Sequence, residues 1–146
     1  MNNAFKVIVL MAITGVFGTP IRICAAESLE HQLAIINAKG YVADNDITVA
    51  RFRSLLEQLS TTFHAPKQEI ADTSVKALEL LKNNGIDESL LKVMEGMNQI
   101  FPGKADNQKY SQILAYYITL RNKGRSHVEA IEDLRGLIQA LSEAGR

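Results

Sequence analysis

Residues 81–103 read LKNNGIDESLLKVMEGMNQIFPG, and this stretch decides the fold. Leu81 closes one apolar helical stripe. Gly85 then offers the left-handed conformation that terminates helices. Asp87 can cap a new helix, whose apolar positions Leu90, Val93, Met94, Met97, Ile100 and Phe101 repeat at three and four residues. Pro102-Gly103 stops it. The grammar is helix, glycine, cap, helix.

The same grammar extends in both directions. Upstream, Ser28 to Ala38 reads as a first helix with Leu29, Leu33 and Ile36 on one side and Gly40 past its end. Asp46 caps a second helix, with Val49, Phe52, Leu55, Leu56, Leu59 and Phe63 at helical period. Pro66 suits the first turn of a third, which carries Ile70, Val75, Leu78 and Leu81. Downstream, Lys104 to Gln108 is a polar connection, and a fifth helix runs from about Gln108 to Lys123. Ser126-His127-Val128-Glu129 is a capping box opening a sixth, with Ile131, Leu134, Leu137, Ile138 and Leu141 expected to face inward. No alternating run bounded by turn residues suggests a strand. The expectation is an all-α protein of about six helices in three antiparallel hairpins, forming a compact bundle or a short solenoid-like array. Weak self-similarity accompanies it. Leu81-Lys82-Asn83-Asn84-Gly85 resembles Leu120-Arg121-Asn122-Lys123-Gly124, and Glu95-Gly96-Met97 resembles Arg135-Gly136-Leu137 after a one-residue gap. The plainer reading is that any helical hairpin stops and restarts in this way.

The N-terminus speaks to compartment. Lys6 precedes an uncharged apolar run, Val7 to Phe17, and Cys24-Ala25-Ala26 places small residues at the exit. That is the pattern of a cleavable signal peptide over residues 1–26, leaving a single helical domain at 27–146. The run is about half of the roughly 20 residues needed to span a bilayer, so stable membrane insertion after cleavage is not expected. Ile21-Arg22-Ile23 before Cys24 argues against lipidation. Cleavage removes the only cysteine, so no disulfide is expected, which favours a bacterial envelope protein over a disulfide-rich secreted domain. The destination is periplasmic or secreted.

Charge narrows the partners. The full chain has 16 basic and 16 acidic residues. Without Lys6 and Arg22 the processed chain has 14 basic against 16 acidic, a net charge of −2. Such a surface has no reason to seek nucleic acid or anionic lipid.

No chemistry-bearing motif stands out. Asp44-Asn45-Asp46 lacks the Gly and Glu of a calcium loop, since Val49 and Leu55 occupy those positions. His31, His64 and His127 are not spaced as metal ligands on one helix, and His127 is expected to be exposed; no metal and no cofactor are expected. Arg53 can pair with Glu57 one turn on. The unusual stretch is Tyr110 to Leu120, YSQILAYYITL, three helical turns without a charge. Tyr110, Ile113, Leu114, Tyr117 and Leu120 form its apolar stripe, with Tyr116 on the flank. Either the helix is central and enclosed, or its neutral face meets a partner. In the second case Tyr116 is the anchor, and Tyr110 and Tyr117 support it from the core side. The reading favours a non-enzymatic binding or assembly module whose partner is another protein. The alternative is a small envelope enzyme acting on cell-wall polymer through a carboxylate pair.

Chain secreted by a bacterial host is expected to have the intact mass of residues 27–146. Retention of Met1, or an acyl group on Cys24, would contradict the export reading.

Overall fold

The computed structural model describes residues 27–101 and 108–144. Residues 1–26, expected to form a signal peptide, lie outside them, as do Pro102-Gly103 and most of the Lys104–Gln108 connection. The described residues form six α-helices and no strand. They are α1 (Leu29–Ala38), α2 (Ile47–Phe63), α3 (Lys67–Asn83), α4 (Leu90–Ile100), α5 (Tyr110–Asn122) and α6 (His127–Ala144). Among the described residues no helix is long and apolar enough to cross a membrane.

The helix starts follow from their caps. Ser28 Oγ accepts the His31 N–H at 3.3 Å, and Asp46 Oδ1 accepts the Thr48 N–H at 2.7 Å. At α6 the capping box is reciprocal: the Ser126 N–H donates to Glu129 Oε2 at 2.8 Å, and the Glu129 N–H donates to Ser126 Oγ at 3.3 Å. One cap differs from expectation. The α4 cap is Ser89, whose Oγ accepts the Lys92 N–H at 3.2 Å, whereas Asp87 pairs with Lys39 Nζ at 3.2 Å. The chain from Ile86 to Ser89 is non-helical, so α4 starts two residues later than Asp87 would start it.

α1 packs on α2, α2 on both α3 and α4, α3 on α4 and α5, and α6 on α4 and α5. The first pair, α1 and α2, reaches the third chiefly through the Phe63 and Tyr110 rings, edge to face at 5.1 Å. The six helices form a compact all-α arrangement. The core runs through it without a break, from Leu33 and Phe52 through Leu81, Met94 and Met97 to Tyr117 and Leu134. Gly96 marks the tightest crossing. A Cβ there would lie 2.7 Å from Ile131 Cδ1 and 2.8 Å from His127 Cε1, so any side chain at 96 would force these two α6 side chains to shift.

Two further expectations are corrected. Leu137 and Leu141 of α6 do not face a core; they are 45% and 56% exposed. With 18 residues, α6 is longer than α4 (11) or α5 (13), so its last turns run past the helices that cover it. Arg53 does not pair with Glu57. Its Nε donates to Glu30 Oε1 on α1 at 2.9 Å, and Glu57 pairs with Lys67 at the start of α3.

Replacing Ser89 by Ala is expected to cost about 1 kcal/mol of unfolding free energy in denaturant titration, and Ser126→Ala about the same. Asp87→Ala should cost a few tenths at most, because an exposed ion pair contributes little.

Candidate functional site

Helix α5 carries the three tyrosines singled out in the sequence, and the structure separates them. Tyr110 is buried; its Oη lies 2.7 Å from Ser74 Oγ of α3, and its ring meets Phe63 edge to face, as Phe101 does on another side. Tyr117 is fully buried, with its Oη 2.8 Å from His127 Nδ1 of α6. Tyr116 is 56% exposed. Ser111, Gln112, Ala115 and Thr119 are exposed as well, so the neutral face of α5 is an outer surface and the enclosed-helix reading does not hold. Burial pushes both buried phenols well above the ordinary tyrosine range, the Ser74 hydrogen bond opposing this at Tyr110 and the Arg121 charge opposing it at Tyr117.

A polar cluster absent from the sequence reading holds α5 in place. The Glu88 side chain, only 6% exposed, accepts Arg121 from the end of α5 at 3.1 Å and Lys92 from α4 at 3.0 Å. His127 Nδ1 lies 3.9 Å from the same carboxylate. Its side chain is 13% exposed, not solvated as expected, because α6 lays it against Gly96 and Tyr117. Loss of hydration holds the imidazole below its ordinary value; Glu88 opposes this, and Lys92 and Arg121 add to it. Residues from the linker before α4, from α4, α5 and α6 thus converge. The only local hint was a buried-position arginine, Arg121, closing a charge-free helix.

The other histidines have structural roles. His31 Nε2 lies 2.8 Å from the Val42 carbonyl and its Nδ1 3.5 Å from Asp44, closing the α1–α2 connection. His64 takes a left-handed φ of 51° at the end of α2. Among the described residues, no three His, Cys, Asp or Glu side chains gather as metal ligands would.

A groove of about 340 Å³ lies between α1 and α3, floored by Leu33, Ala71 and Val75. It continues toward Leu78 and Ile86 as a further 280 Å³ or so. Asp72 and Glu79 stand on its rim. They lie two turns apart on one helix, about 10 Å along its axis, so they share one wall and do not flank a bond between them. A glycosidase pair faces across a cleft at about 5–9.5 Å. Asp87 and Glu88, at the far end, are engaged by Lys39 and by Arg121 with Lys92.

The lowered proton affinity of His127 has a sign. The unfolded chain takes up this proton at higher pH than the folded one does. The contribution is therefore complete above the ordinary value of 6.5 and is lost as pH falls below it. Denaturant midpoints are expected to decline from about pH 7 to pH 5, and to decline less in His127→Gln. An equal slope in the variant would place the titrating group elsewhere.

Nothing among curated proteins or solved structures matches the chain. A family match does exist, to the family described as MoxZ, over residues 30–139. That span covers three quarters of the chain, from the first turn of α1 to Gln139 in α6, and so includes the Glu88 cluster, the α1–α3 groove and the exposed face of α5. On that coverage, the chain belongs to the MoxZ family.

Proposed function

We propose that the processed chain, residues 27–146, is an exported, non-enzymatic binding or assembly module of the cell envelope or extracellular space. It engages a protein partner through the outer face of α5, with Tyr116 as the anchor and Tyr110 and Tyr117 fixing the helix from behind. The carrying observation is an exposed helix face without a single charge, bearing a half-exposed aromatic on a helix that cannot rotate. Tyrosine suits such a place because its ring is apolar and its hydroxyl tolerates water. The export half of the proposal rests on the leader-like residues 1–26. The wall-polymer alternative gains no support from the groove, whose carboxylates are either side by side or already paired.

Tyr116→Ala is expected to leave the helical spectrum and melting temperature nearly unchanged while weakening partner retention, measured by affinity capture from the native envelope, by tenfold or more. Tyr117→Ala should instead cost roughly 3 kcal/mol or more of stability. If the two substitutions destabilise equally, or if Tyr116→Ala retains its partner, the proposed surface is wrong.

A further inference from the structure

Helix α6 is held more lightly than the helices it rests on. It has 18 residues, yet among the described residues it buries Ala130, Ile131 and Leu134, where α4 buries six of its 11. Its main packing partners are α4 and α5. Two hydrogen bonds join it to them, Tyr117 Oη with His127 Nδ1 at 2.8 Å and Arg135 to the Gln99 carbonyl at 3.2 Å. The start of the helix is satisfied from within. Ser126 and Glu129 cap each other, and Arg125 pairs with Glu129 and Asp133 in the same segment. Gly124, with a left-handed φ of 88°, gives the link from α5 its freedom to turn. α6 can therefore leave its neighbours as an intact, capped helix.

Its seat is made by His127. The ring lies against Gly96 of α4, its Cε1 2.8 Å from where a Cβ would stand. The groups that face it are Glu88 from the link before α4, Lys92 from α4, and Tyr117 and Arg121 from α5. The Tyr117 hydroxyl can donate to the neutral ring or accept from the charged one, so it does not choose between them. The charges do. Glu88 Oε1 already accepts Lys92 at 3.0 Å and Oε2 accepts Arg121 at 3.1 Å, while His127 Nδ1 lies 3.9 Å from Oε2. A protonated ring would be the third cation on one carboxylate. It would stand where Glu88, Arg121 and His127 are 6%, 12% and 13% exposed, with little water to screen it. With α6 swung out, the same ring is solvated.

We propose that His127 is an acid-released latch: protonation of the ring unseats the start of α6, which swings away at Gly124 as a unit while α1 to α5 stay folded. A decline of overall stability in acid follows from the titration alone. The departure of one helix ahead of the rest is a separate property, and it uncovers Gly96 with Ile131 and Leu134. It holds whatever binds the outer face of α5.

Amide exchange of the secreted chain at pH 7 and pH 5, corrected for the intrinsic effect of pH on exchange, tests this. At both pH values the amides of α6 should open more often than those of α2, whose core residues are released by global unfolding. Between pH 7 and pH 5 the α6 opening constant should rise severalfold, with a ceiling of about thirtyfold for a group whose ordinary value is 6.5. In His127→Gln the rise should disappear. In Lys92→Met, which keeps the histidine and removes one of the cations beside it, the rise should be smaller than in the parent. A single opening constant shared by α6 and α2 overturns the inference, because α6 then leaves only with the whole fold. So does an α6 constant in the parent that ignores pH, or a rise that survives undiminished in either variant.

Discussion

The carboxylate of Glu88 is the point on which the later half of the structure turns. It sits in the extended link before α4, accepts Arg121 from α5 and Lys92 from α4, and lies beside His127 of α6. Removing a carboxylate and a guanidinium from water costs several kcal/mol, which their attraction repays only with good geometry. The pair ties α5 to the link before α4 through one Arg121 nitrogen, while the buried Arg121 Nε is left without a partner. Arg121 closes α5, and Tyr117, one turn earlier, is bound to His127. The helix is thereby fixed in rotation. Adjacent residues on a helix differ by about 100° in direction, so a slip of one position would bury Tyr116 and expose Tyr117. The outward aromatic is therefore a consequence of the buried charges.

His127 links that cluster to the crossing at Gly96. Its ring edge occupies the space a side chain at position 96 would fill, and its Nδ1 faces the Tyr117 hydroxyl. Loss of water around the imidazole lowers its proton affinity. A charged ring would have to be solvated or paired in a space that holds two cations, Arg121 and Lys92, against one carboxylate. Packing and titration are thus coupled at one residue. With a single cysteine, the sequence allows no internal disulfide to reinforce it.

What the sequence made legible was local. Helical period and caps placed all six helices, and the capping box at Ser126 and Glu129 is present in both of its bonds. The period also sorted the tyrosines, because Tyr110 and Tyr117 lie seven residues apart on the core stripe and Tyr116 lies beside it. What it hid depended on neighbours. Asp87 and Ser89 are equally good capping residues, and the path of the preceding link decided for Ser89. Leu137 and Leu141 continue the inward stripe of α6, but whether a stripe is covered depends on the lengths of α4 and α5. Glu88 looked like any acidic residue at a helix start, and its partner Arg121 arrives only when the third pair folds onto the second. The α1–α3 groove has no sequence signal, since it is the gap left where α1 packs little on α3 while α3 packs well on α5.

The first and the last helix pairs differ in what they expose. A terminal helix pair has an outer face that no neighbour covers, and in stacked helical proteins that face is ordinarily polar because an apolar one invites association. At the first pair Arg53 and Glu30 are joined across α1 and α2 and His31 turns toward Asp44, while Tyr41 and Ile47 stand exposed. The last pair is different in kind. It keeps an exposed face of α5 without charge, two exposed leucines on α6 and a glycine with room around it. An isolated exposed leucine needs no explanation. Leu137 and Leu141 have a simple one, since α6 outruns the helices that cover it, and the uncharged outer face of α5 follows from a sequence that places its nearest charges at the two helix ends.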